Sequence, residues 1–143
     1  MTNTTEKHVK DLNETWNTKN AEKVSEHFAE DASFQDPFTP QPVQGRAAVK
    51  GYLTGLFTAF PDFSLKLGNT IIQGDTAVAL NTATGTFKGE MHGQDGKKIA
   101  PTNKKFTHEA AVYFEFDTHG KIKKARVYGD TLSLVQQLGI PPQ

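Results

Sequence analysis

Cysteine is absent from the 143 residues. That removes disulfides, a thiolate nucleophile and any thiolate metal site. Net charge is absent as well, because sixteen Lys and Arg cancel sixteen Asp and Glu. A neutral chain has no electrostatic footprint for nucleic acid or for an anionic membrane surface. No apolar run approaches the length that spans a bilayer. The first residues, Met1-Thr-Asn-Thr-Thr-Glu6, are polar and lack the apolar stretch of a signal peptide. A cytoplasmic location is the expectation, with neither nucleic acid nor membrane as partner. The five histidines have no metal-site spacing, and Gly89–Gly96 lacks the Lys-Ser/Thr ending of a phosphate-binding loop. No metal, nucleotide or flavin cofactor is expected.

What the chain does have is aromatic bulk, with ten Phe among its residues, and a length that suits one domain over 1–143. Val9, Leu12 and Trp16 recur at helical spacing, and Ala21, Val24 and Phe28 extend a second helical pattern over 20–29, with Asn20 as its N-cap. Residues 32–36 read as a short strand that Pro37 stops, and a proline-rich loop follows. Val49, Leu53, Leu56, Phe57 and Phe60 form one apolar stripe, so 46–60 is a helix that Pro61 ends. From Phe63 onward apolar and polar residues alternate in strands, with Gly85 a candidate bulge. Residues 89–105, rich in Gly and Lys, read as a loop. Helices first and hairpin-linked strands after them predict an α+β fold, its helices on one face of a curved, mainly antiparallel sheet.

Asp130 stands where the strand 122–129 gives way to the helix 131–138. It is a helix cap alone, or a cap whose carboxylate also moves protons in a cavity. Arg126, Tyr128 and Asp130 are two apart and share one strand face. Tyr128 packs, or donates to a substrate oxygen; Arg126 binds an acidic group, or pairs with Asp130. His108 shares the alternation of Phe106 and Ala110, as a structural histidine or as a proton donor in a pocket. Asp36, before Pro37, is a turn-former or a second carboxylate at the pocket mouth. Trp16 is a core residue, or with Phe60 lines that pocket.

The order of these elements resembles the NTF2-like superfamily of cone-shaped domains, and within it the SnoaL-like polyketide cyclase group. The matching pieces include Trp16-Asn17, Phe28-Ala-Glu-Asp31, Gly45-Arg-Ala-Ala-Val49, Phe60-Pro-Asp62, Gly85-Thr86, Pro101-Thr-Asn-Lys-Lys105 and Asp130 with Gln137-Leu-Gly139. The resemblance implies a pocket between the sheet and the helices, and an acid/base Asp that falls on Asp130. It also implies a homodimer, and cofactor-free aldol ring closure on a small hydrophobic carbonyl compound. Isomerisation, epoxide or ester hydrolysis, and ligand binding or assembly without catalysis are the alternatives the superfamily allows. Two positions depart from the group. Arg126 stands where a large aromatic is common, and Phe87 where a histidine is, which leaves His108 to take that role.

Overall fold

A computed structural model describes residues 4–92 and 96–140. Two helices come first, α1 (Thr4–Trp16) and α2 (Ala21–Ser25). They are followed by β1 (Phe28–Gln35), the short β2 (Val43–Gln44) and α3 (Arg46–Ala59). Next come β3 (Ser64–Gln73), β4 (Thr76–Thr86), the two-residue strands β5 (Met91–His92) and β6 (Lys98–Ile99), β7 (Lys105–Phe116), β8 (Ile122–Gly129) and α4 (Thr131–Leu138). The main sheet runs in the order β2-β1-β8-β7-β4-β3. Its pairs are antiparallel except β1 with β8, which lie parallel. The fold is thus α+β, as the spacing of apolar residues predicts.

Amphipathic patterning explains which face of each element is covered. Val9, Leu12 and Trp16 of α1 are buried, as are Val49, Leu53, Leu56 and Phe57 of α3. In β7 the buried residues include Phe106, His108, Val112, Phe114 and Phe116, which share one side of the strand. The helices pack on that side, α1 against β3 and β4, α3 against β1 and α4 against β7. Register shifts interrupt β3 between Leu67 and Thr70, β1 between Phe28 and Ser33, and the β7–β8 pairing between Glu115 and Phe116. Extra residues of this kind bend strands and increase their twist, which curves the sheet around the helices.

Three local expectations give way to tertiary contacts. The second helix stops at Ser25, although helical spacing runs on to Phe28. Ile122 donates its N–H to His27 O at 2.8 Å, and Phe28 pairs with Ile122, so strand pairing claims these residues. Gly85 is not a bulge, because the β4–β7 ladder passes through Gly85↔Phe106 without a shift. Its missing side chain instead admits the Phe106 ring; an added Cβ would stand 2.9 Å from Phe106 Cε1. Within 89–105 the strands β5 and β6 pair as a small hairpin, while residues 93–95 lie outside the described residues.

The Leu53 side chain has no exposed surface. Replacing a fully buried Leu by Ala removes its transfer energy and leaves a cavity. Leu53→Ala should therefore lower unfolding free energy by about 2–5 kcal/mol, read from urea titrations. An unchanged midpoint would contradict this packing.

Candidate functional site

The space between the curved sheet and its helices is not filled. A cavity lies there, open in part to solvent. Its cause is visible in the sheet, where Ala79 and Ala83 of β4, Ala110 of β7 and Ala125 of β8 all face it. Alanine covers the backbone and reaches no further, so the helices are held off the sheet by larger residues around them. Those walls mix aromatic with aliphatic side chains. Trp16 packs against Phe34, Phe57 and Phe63 with ring centroids 5.9–6.3 Å apart.

His108 lies on β7 opposite Ala83 and is 7% exposed. Its imidazole occupies space that a side chain at Gly129 would need. A Cβ added there would overlap His108 Cε1 and stand 2.5 Å from Nε2. Burial lowers the His108 pKa, and the nearby Asp130 charge opposes that in part. The ring is therefore neutral near pH 7, and its buried Nε2 has no hydrogen-bond partner.

Asp36 also lines the cavity, at the end of β1. One oxygen accepts the Phe38 N–H at 2.9 Å, which makes the turn that Asp-Pro chemistry predicts. The other accepts the Tyr52 hydroxyl at 2.5 Å. Both bonds favour the carboxylate, yet burial outweighs them and pushes its pKa up to about 6. Burial, then the Asp36 charge and hydrogen bond, raise the Tyr52 pKa in turn.

The structure brings Trp16, Asp36 and His108 to one cavity and leaves four other expected site residues out of its wall. Asp130 is exposed, and its carboxylate accepts the Ser133 N–H at 2.9 Å as the N-cap of α4. It does not point into the cavity as expected. Arg126 and Tyr128 share a face, but the other one, because Ala125 and Val127 take the cavity side of β8. The Arg126 guanidinium lies 4.9 Å from the Tyr128 ring centroid, and Tyr128 is 52% exposed. Phe60 is wholly buried behind the wall, against Phe38, Phe87 and Phe106.

Sequence reasoning missed Asn13, Asn81 and Tyr52. The signal existed for the first two. Asn13 sits one turn from Trp16, between the apolar positions of α1, and Asn81 falls on the alternation of Ala79 and Ala83. A polar residue on an otherwise apolar face is the observation to notice. Tyr52 carried no such sign, since its partner Asp36 is sixteen residues away. Among the described residues no group of three or more His, Asp or Glu could hold a metal ion, and no helix is long and apolar enough to cross a membrane.

Residues 6–138 match the family described as SnoaL-like polyketide cyclase. A search of curated proteins gave no match. Among solved structures, a candidate SnoaL-like polyketide cyclase from Jannaschia sp. CCS1 superposes with a TM-score of 0.80 at 20% identity, covering 97% of this chain and 94% of that one. SalBIII, an epoxide hydrolase/cyclase-like enzyme in pyran ring formation in the polyether salinomycin, gives 0.75 at 21% identity, over 90% and 92%. An NTF2-like protein of unknown function from Burkholderia pseudomallei gives 0.72 at 15% identity, over 96% and 98%. At such identities the likeness shows the fold, which is NTF2-like.

Two measurements check the electrostatics. The folded pKa of Asp36 is raised from 3.8 to about 6, so the native state binds the proton more tightly than the unfolded chain. Asp36 then costs stability as pH rises through that window. Asp36→Asn should gain stability relative to wild type between pH 4 and pH 7, read from denaturant titrations at several pH values. A constant difference would contradict the burial of this carboxylate. Asp130→Asn keeps a capping side chain and should change stability by no more than about 1 kcal/mol. Loss of its charge should lower the His108 pKa further, followed by NMR titration of the ring; an unmoved pKa would refute the coupling.

Proposed function

Because the chain belongs to the SnoaL-like polyketide cyclase family, we propose that its cavity binds a small hydrophobic carbonyl compound and moves a proton on it. The reaction is intramolecular aldol cyclisation or isomerisation, carried out without a cofactor by one domain over 1–143. One observation carries this reading. An apolar cavity holds a carboxylate with a pKa of about 6 together with a neutral imidazole whose Nε2 is unpaired. General acid–base catalysis works best when the pKa of the group lies near the working pH, and burial in an apolar pocket is one way to bring a carboxylate there.

In this mechanism Asp36 takes the proton from carbon next to a carbonyl. The electron pair left behind forms the new carbon–carbon bond at a second carbonyl carbon, or returns at a different carbon in an isomerisation. His108, in the tautomer that protonates Nε2, donates to the oxygen on which charge develops. The proton held by Asp36 finally returns to the product. Tyr52 positions the carboxylate through its hydroxyl. Asp130, which the family resemblance makes the acid/base residue, acts at one remove, its charge opposing in part the fall that burial causes in the His108 pKa.

A second reading, a ligand-binding domain without turnover, draws support from the place of Asp130 outside the cavity wall. Epoxide or ester hydrolysis by Asp130, Arg126 and Asp36 together draws none, since Arg126 faces away from Asp36. A homodimer through the outer sheet face is also proposed. Ile71, Leu80 and Tyr128 are exposed there, and apolar sheet surface of this kind calls for cover.

The catalytic reading is tested by hydrogen–deuterium exchange at the carbon between the carbonyls of 1,3-diketones, followed by NMR. The protein should accelerate exchange, and Asp36→Asn should reduce that acceleration by about 10²-fold or more. Saturable binding with no acceleration would favour the ligand-binding reading. Sedimentation at micromolar concentration should show a dimer that Tyr128→Glu dissociates; a wild-type monomer would sink the assembly proposal.

A further inference from the structure

Four side-chain atoms among the described residues are buried without a hydrogen-bond partner: Asn13 Oδ1, Trp16 Nε1, Asn81 Oδ1 and His108 Nε2. All four residues line the same cavity. Orphaned polar atoms are uncommon in folded proteins and are expected to be scattered when they reflect local packing faults. Their convergence on one space points to a ligand that satisfies them.

The chemistry of each atom restricts that ligand. Trp16 Nε1–H can only donate, and an amide oxygen can only accept. Asn13 Nδ2 donates to Leu65 O at 3.4 Å, which fixes the amide so that Oδ1 is the atom left over. Asn13 and Trp16 are three apart on α1, so their side chains are neighbours on one helix face. A single hydroxyl can accept from Trp16 and donate to Asn13. A ketone oxygen serves Trp16 alone. On the opposite wall Asn81 pairs with Ala110, and His108 with Ala83. The two polar residues are therefore diagonal neighbours on adjacent strands, within reach of one further oxygen. Charge narrows the class again. Among the described residues the cavity wall includes no Lys or Arg, and its acidic member is Asp36. A carboxylate or phosphate on the ligand would find no counter-charge there.

We propose that the cavity is a site for a neutral, apolar-bodied compound with hydroxyl groups, enolic or phenolic, at two separated positions. One is held by Asn13 and Trp16 of α1, the other by Asn81 and His108 of the sheet. This rests on the reading of the cavity as a small-ligand site and names the class of ligand. It assigns Asn13 and Asn81 as specificity residues. Inside this apolar cavity a ligand that lacks the hydroxyls leaves the amide oxygens unpaired.

The chain contains one tryptophan, so its fluorescence and its single indole N–H resonance report the site directly. The probes are naphthalene, 2,6-dihydroxynaphthalene and 2,6-naphthalenedicarboxylate, titrated into the full chain. The diol should bind about tenfold or more tighter than naphthalene, shift the indole proton downfield, and exceed the dicarboxylate by more still. Asn13→Leu and Asn81→Leu should each lose most of that preference while binding naphthalene at least as well as wild type. Two positions are used so that poor folding of one variant leaves the other to decide. Equal affinity for naphthalene and the diol, tighter binding of the dicarboxylate, no saturable binding of either neutral probe, or an intact preference in the folded variants would each overturn the proposal. The diol undergoes no aldol step, so this test does not depend on turnover. Failure of diketone exchange leaves the hydroxyl sites standing, and equal probe affinities leave the proton-transfer reading standing.

Discussion

The uninterrupted ladder between β4 and β7, from Thr76↔Glu115 to Thr86↔Lys105, is the constraint on which the site depends. Strand side chains alternate, so a slip of one residue would turn every one of them to the opposite face. With the register as it is, Ala79, Asn81 and Ala83 lie beside His108, Ala110 and Val112 and face the helices. The same rule carries across to β8, where Val112 pairs with Val127 and Ala110 with Gly129. The floor of the cavity, the room for the His108 ring over Gly129 and the outward direction of Tyr128 all follow from this one alignment.

Energetics give the cavity its character. A packed core would favour larger residues at the alanine positions, since buried apolar area stabilises at roughly 25 cal/mol per Å². Leaving four polar atoms without partners costs about 1–3 kcal/mol each. The aromatic cluster around Trp16 and Phe60 offsets this, because its rings pack edge-to-face and tilted at 5.3–6.5 Å, an arrangement that adds to area burial. Stability is thus concentrated in the walls and withheld from the floor. Such a distribution suits a protein that exchanges ligands in its interior.

The two carboxylates expected in the pocket exchange importance, and the reason is local. Asp36 precedes a proline and makes a turn, but the turn tucks it beneath Tyr52, where burial dominates its chemistry. Asp130 begins a helix at the rim, where the Ser133 N–H holds it. Both are good turn or cap residues by type. Local pattern favours function more at Asp130 than at Asp36, and the depth of each position reverses that order.

The helical stripe of α3, the alternation in β7, the capping residues Asn20 and Asp130 and the α+β order are local patterns, so the amino-acid sequence by itself determined them. It also determined that Arg126 and Tyr128 share a face, because two-residue spacing on a strand is a covalent matter. Which face that was, and so their absence from the cavity, depended on how β8 pairs with β7. The same holds for the burial of Asp36, the seat of His108 over Gly129 and the gathering of Asn13, Trp16, Asn81 and His108. These residues come from α1, the turn after β1, β4, β7 and β8, and their meeting is a property of strand register and helix docking. Tertiary structure decided them because solvent exclusion and hydrogen-bond partnership depend on neighbours distant in sequence.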